Sequence, residues 1–280
     1  MKSGNEVAVS NDRGSIVFKI VRWALIALVL LVFLLPVYWI ISGSFKVLSE
    51  FYSVPPSFVP QGFAFQNFEN ALKVRGQVGV VGSLIVGVTV TVLTLLISIP
   101  ASYSIARYRP GGDNISFFIL SILFLPPVIG LIPLFFIFKT LGLLDTYYVL
   151  FLSYMFFGLP FSIWIMKGFF EDVPVEVEQA AMVDGYSRAR VFLKVAVPLA
   201  IPGIAVAGLF TFIFSWNELM FVSIFCRNNV QTLPLALQDY IGSTGVSWGE
   251  LAALATIAAA PGILLAIFMQ RYIVRGLTFG

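Results

Sequence analysis

The sequence contains no histidine, which removes imidazole metal ligation and every Ser-His or Cys-His nucleophile pair from the chemistry open to it. It contains one cysteine, Cys226, so no disulfide closes within the chain. Charge is scarce: Asp, Glu, Lys and Arg make up 11% of the 280 residues, against roughly 25% in a soluble domain. No Gly-x-x-x-x-Gly-Lys-Ser/Thr run occurs and no lysine follows a glycine, so the chain has no P-loop to cradle nucleotide phosphates. Apolar side chains dominate instead, at 59%, with a mean hydropathy of +0.96. Such a composition belongs in lipid. The net charge of +3 does not point to nucleic acid, because the basic residues fall in short clusters between apolar runs and read as topology signals.

A hydrocarbon core about 30 Å thick takes about 20 apolar helical residues to cross. Six stretches qualify, at about 20–45, 80–106, 115–138, 147–166, 199–225 and 251–273, so the expected fold is all-α and polytopic. The first run is too long for a removable signal peptide and lacks a small-residue cleavage site. With residues 1–19 placed inside the cell, twelve Lys and Arg side chains fall on the cytoplasmic side. Five fall outside: Lys46, Lys73, Arg75, Lys139 and Arg227. This asymmetry puts both termini in the cytoplasm.

Prolines 36, 100, 126, 127, 133, 160 and 261 lie in or at the ends of the spans, and each removes a backbone donor that neighbours must compensate. Ser98, Ser102 and Ala106 repeat at four-residue spacing on the second span, as Ala255 and Ala259 do on the sixth, which allows close backbone approach.

The interval from Glu171 to Pro202 is the longest charged segment on the cytoplasmic side. Pro174 suits a first helical turn, and Glu171, Asp172 and Glu176 place negative charge where the helix dipole favours it. Asp184-Gly185 reads as a stop, and Arg188, Ala189, Phe192 and Val195 open a second helical pattern. Val177, Ala180 and Ala181 sit at i, i+3 and i+4, a shallow apolar patch that a partner can approach closely. A helix this short is marginal alone. On these residues it either lies on the membrane surface and the chain's own loops or docks on another protein.

Gln179, Ala180, Ala181, then Gly185, then Val195, Val197 and Pro198 resemble the cytoplasmic signature loop of binding-protein-dependent ABC importer permeases. That loop reads Glu-Ala-Ala, three residues, Gly, nine residues and an Ile-x-Leu-Pro ending. Gln179 departs from the acid of the triplet, and Glu178 points about 100° away around the helix. MKGFFEDVP before the loop, SWNELMF at Ser215–Phe221, SWGELAA at Ser247–Ala253 and the C-terminal QRYIVRGLTFG are similar to the carbohydrate-type branch, so the likeness runs over the whole chain.

The resemblance implies a type I importer transmembrane domain over residues 20–280, with a coupling loop at 171–198. It implies a second permease subunit, two ATP-binding subunits that hold ATP and Mg, and an extracytoplasmic solute-binding protein. The chain itself carries no cofactor, metal or catalytic group. Glu178, Gln179, Ala180, Ala181, Asp184 and Gly185 form the expected ATPase-coupling site. A bulky residue at Ala181 or Gly185 is then expected to uncouple transport from hydrolysis.

Within the fifth span, Trp216, Asn217 and Glu218 are candidates for the solute pathway. A carboxylate at bilayer depth costs of order 2.5–3.5 kcal/mol on insertion scales, and an aromatic face beside Asn and Glu suits a sugar's CH faces and hydroxyls. Equally, Glu218 lies near the outer interface or binds a neighbouring helix. The polar loop from Arg227 to Glu250 faces the delivery protein or is a plain connector, and Ser53–Phe63 reads as an extended external cover. A secondary transporter is the main rival and an ABC permease for another solute the second; the energy source separates the first, and binding assays on the delivery protein the second.

Overall fold

The computed structural model describes residues 12–242 and 245–278. Residues 1–11 of the expected cytoplasmic segment and the final Phe279-Gly280 lie outside the described residues. The chain opens with α1 (Asp12–Ser44) and the single turn α2 (Leu48–Phe51). After an extended loop, α3 (Gln66–Ala71) passes through a π-helical turn at Leu72–Gly76 into α4 (Gln77–Tyr108). Then come α5 (Asp113–Leu123), α6 (Pro127–Thr140), α7 (Tyr147–Glu171), α8 (Val175–Val183) and α9 (Arg188–Val191). A second π-helical turn at Phe192–Ala196 leads to α10 (Val197–Leu199), α11 (Ile201–Asn217), α12 (Met220–Phe225) and α13 (Leu233–Gln238). An antiparallel pair, β1 (Ile241–Gly242) with β2 (Gly245–Val246), precedes α14 (Trp248–Thr278). Apart from that strand pair the described residues are all-α.

Among the described residues, four helices are long and apolar enough to cross a membrane, in α1, α4, α7 and α14. These answer the expected first, second, fourth and sixth spans. The other two depart from expectation. The stretch 115–138 is not one helix: α5 and α6 meet at 90°. At 1.5 Å per residue neither piece, about 16 and 21 Å long, crosses the core alone. Pro127 lacks the N–H that would continue α5, and Pro126 stands in extended geometry with ψ 127°.

The stretch 199–225 is likewise divided. The segment Arg188–Leu199 turns by 72° into α11, and α11 stops where Glu218 becomes extended at ψ 125°, before α12 resumes. Counting each bent pair as one span gives up to six.

α4 is central, packed against α7 and α11. In lipid there is no gain from hiding apolar surface between helices, so close contact and hydrogen bonds hold them. The sequence supplies both. Thr94, Ser98 and Ser102 recur every four residues and are buried; the Ser162 hydroxyl of α7 donates to Ser98 Oγ at 2.8 Å. Gly87 admits the ring of Phe212, which a Cβ would meet at 2.9 Å. The Ala255 and Ala259 pair does not serve this way, since Ala259 is exposed; α14 meets α1 through Ala252 against Gly43. From Phe18 to Ile40, α1 lies outside the core.

At the end of the molecule carrying the loop from Arg227, the turn before α7 is fastened by Asp145. Its carboxylate accepts from the backbone N–H groups of Arg227, Asn228, Asn229 and Val230 at 3.0–3.3 Å. Partial burial pushes the Asp145 carboxyl up, but the four amide donors outweigh it and hold it below the usual carboxylate range. Beyond it, α13 lies on α4 because Gly79 and Gly82 leave room: a Cβ on Gly82 would stand 1.9 Å from the Gln231 carbonyl. The polar loop is thus folded onto the spans rather than loose. The cover at Ser53–Phe63 is pinned as well, with the Gln61 N–H donating to the buried Glu50 carboxylate at 2.9 Å and Lys46 lying over Trp39.

Candidate functional site

At the opposite end, Tyr103, Ala106, Met166, Phe170, Ala196 and Ala200 close one apolar cluster where α4, α7 and the start of the fifth span converge. Seated against it is α8. The helix begins after Pro174, whose missing N–H costs nothing at a helix start. It ends in a two-bond C-cap: Tyr186 N–H donates to Ala181 O at 3.1 Å and Gly185 N–H to Met182 O at 3.1 Å. That cap needs a left-handed residue, and Gly185 supplies φ +90°.

Of the nine residues of α8 only Glu178 is buried. Its Oε1 accepts from Arg107 Nε at 2.8 Å and Nη2 at 2.7 Å, and its Oε2 from the Tyr103 hydroxyl at 2.8 Å. Arg107 Nη2 also donates to Val173 O at 2.8 Å, holding the chain just ahead of α8. Tyr103 and Arg107 are four apart on α4 and share a face. Both charged side chains are nearly sealed from solvent, 9% and 6% exposed.

The rest of α8 faces away. Val177 and Val183 are 44% and 87% exposed, Ala180 is exposed and Ala181 half-buried. Gln179 stands at the rim of a cavity of about 160 Å³ shared with Tyr108, Met182 and Arg188. Asp184 is exposed at the helix end. The structure therefore brings Gln179, Ala180, Ala181, Asp184 and Gly185 onto one outward element and turns Glu178 inward. Sequence reasoning missed Tyr103 and Arg107: Arg107 counted there only as a topology charge, and nothing in a single sequence links it to a partner 71 residues on.

The candidate pathway trio in the fifth span is placed in three different surroundings. Trp216 is 3% exposed, stacked on Phe212, and its Nε1 donates to Ala258 O of α14 at 3.0 Å; it struts two helices and offers no free face to a solute. Asn217 is exposed and donates to Ile213 O at 2.8 Å. Glu218, at the break, accepts the Phe221 N–H at 3.1 Å and so caps α12, with the buried Tyr154 hydroxyl close by. The break between α5 and α6 opens a different feature, a cavity of about 320 Å³ walled by Phe157, Phe161, Phe210 and Phe214, with Gly158 and Thr211 beside them.

A bundle of bent and straight apolar helices, with a short capped helix presented at one end, defines a polytopic membrane protein. Residues 95–279 match the family described as binding-protein-dependent transport system inner membrane component, and the chain belongs to it. It is 35% identical over 250 residues to the diacetylchitobiose uptake system permease protein DasC of Streptomyces coelicolor, covering 88% of this chain and 90% of that one. It is 34% identical over 254 residues to the trehalose transport system permease protein SugB of Mycobacterium tuberculosis, covering 88% and 91%. Its fold matches a chain of a bacterial ABC transporter involved in the import of the acidic polysaccharide alginate, with TM-score 0.78 and 23% identity over 95% of this chain and 99% of that one.

Proposed function

We propose that this chain is the membrane subunit through which an ATP-driven importer moves a sugar or related polyhydroxylated solute. Two cytoplasmic ATP-binding subunits, which hold ATP and Mg, seat on α8; a second permease subunit completes the pathway, and an extracytoplasmic binding protein delivers the cargo. The α8 end of the bundle faces the cytoplasm, where Arg107, Arg109, Lys167, Arg188, Arg190 and Lys194 gather.

One observation carries this reading. A nine-residue helix is held to its own chain by a single inward carboxylate while Val177, Ala180 and Val183 are left to water. Apolar groups on so short a helix need a partner surface. Gln179 and Asp184 flank that face, and Gly185 sets the angle at which the helix ends. The relatives named for diacetylchitobiose and trehalose support sugar cargo. For the passage itself, the phenylalanine-walled cavity offers surfaces for a sugar's CH faces, with Asn217 as the exposed amide nearest the break in the fifth span. The long uncovered face of α1 leaves surface for the second permease subunit as well as for lipid.

Affinity purification from membranes expressing the whole system tests the proposal. The wild-type chain should bring down an ATPase, and Ala180→Trp should release it without loss of membrane insertion, because Ala180 is exposed on α8. Retention of the ATPase by Ala180→Trp, with normal uptake, would contradict the assignment. A panel of sugars and polyols tested on the binding protein identifies the cargo.

A further inference from the structure

Everything that α8 receives must reach the spans through the contacts it makes with its own chain: it packs on α9 and the second π-helical turn, and its side chains tie it to α4. Its covalent connections run to α7 through Asp172–Pro174 and to α9 through Asp184–Ser187. Its one buried side chain reaches neither of those helices but α4, the central helix of the bundle. We propose that the Tyr103–Arg107–Glu178 cluster is the joint that transmits motion of α8 into the second span, with Glu178 and Arg107 as positioning residues for coupling. The inference rests on the reading of α8 as the ATPase seat, and adds where its displacement goes.

The geometry favours a rigid joint over a sliding contact. Both carboxylate oxygens are engaged, Oε1 by two nitrogens of one guanidinium and Oε2 by a phenol, so the carboxylate cannot rotate without breaking a bond. The same guanidinium holds the Val173 carbonyl, so Arg107 grips the entry to α8 and its second turn together. With both charges largely withdrawn from water, release would leave each ion poorly hydrated and without its partner. Tyr103 is itself fixed among Phe170 and Phe192, on α7 and the second π-helical turn. Motion of α8 therefore carries the end of α4 with it, while the exposed face remains free for the motor.

The test uses the complete importer, with its ATPase subunits and binding protein, in vesicles. Solute moved per ATP hydrolysed is the readout, since a contact that only stabilises the fold would lower both together. Glu178→Gln and Arg107→Met should each reduce that ratio by about tenfold or more, and the double variant should be no worse than either single one, because both remove one joint.

A reversible tie gives the second measurement. In a Cys226→Ser background, Tyr103→Cys with Glu178→Cys should be uncoupled as free thiols and recover coupling when a short thiol-reactive cross-linker joins them. Equal ratios with and without the tie, arrest of transport by the tie, or wild-type ratios in Glu178→Gln would each overturn the joint. Absence of any ATPase from the wild-type assembly would instead remove the reading beneath it, and the two failures are told apart in the same preparation.

Discussion

At each end of this molecule one carboxylate ties distant parts of the chain together, and the two ties are made of different donors. Glu178 is held by side chains, the Arg107 guanidinium and the Tyr103 hydroxyl, in a site nearly sealed from solvent. Asp145 is held by the backbone amides of Arg227 to Val230 in a partly exposed turn. A backbone donor is present whatever residue other than proline occupies the position, so at the Asp145 end the carboxylate alone is required of the side chains. At the α8 end three side chains must agree, and substituting one leaves the others short of a partner. The Glu178 tie therefore depends on residue identity at three positions and the Asp145 tie at one.

That contrast can be broken most sharply at Arg107. Arg107→Met leaves Glu178 buried without its cation, and loss of one partner from a buried pair costs about 3–5 kcal/mol. The cost should fall on α8, seen as faster backbone hydrogen exchange over residues 175–183 with the outer loop unchanged. Asp145→Ala comes next, at about 1.5–3 kcal/mol for charge-assisted hydrogen bonds. Exchange should rise at 226–232 instead, with α8 unaffected. Gly185→Ala has open space for its methyl group, so only the φ of +90° opposes it. A penalty of about 1–2 kcal/mol should shorten the protection of α8's last turn.

The smallest effect is in acid. Since amide donors depress the Asp145 carboxyl, its contribution is complete above the unfolded value of about 3.9 and is lost as pH falls through the lower folded value. Thermal unfolding in detergent should show no Asp145-dependent change from pH 5 to 8. Below that range the wild type should lose the part of its stability that Asp145→Asn lacks throughout.

Much of the fold was legible because a membrane helix announces itself by length and apolarity alone. That is why α1, α4, α7 and α14 fall where hydropathy puts them. Hydropathy carries no direction, so it joined α5 to α6 and ran the fifth span straight through Glu218. The prolines gave an ambiguous sign: Pro100, Pro160 and Pro261 sit inside unbroken helices, while the adjacent pair Pro126-Pro127 marks a right-angle turn. Two consecutive residues without amide hydrogens leave no register in which the helix can close.

At the candidate site, the span of α8, its proline start and its glycine stop were all readable, because caps are local. The inward turn of Glu178 was not read from the sequence, which grouped it with Gln179, Ala180 and Ala181 in the coupling site. Nor were its partners, because pairing between α4 and α8 is a property of the assembled bundle. Trp216 was a pathway candidate on residue type alone, and only packing reveals that its ring stacks on Phe212 and its Nε1 donates to α14.

Solute uptake into vesicles holding the complete importer, followed as a function of internal nucleotide and of imposed proton and sodium gradients, tests the central claim most directly. Uptake should require ATP on the α8 side, stop when the ATPase subunits are stripped, and ignore both gradients. Uptake that proceeds on a gradient with no nucleotide and no ATPase present would contradict it.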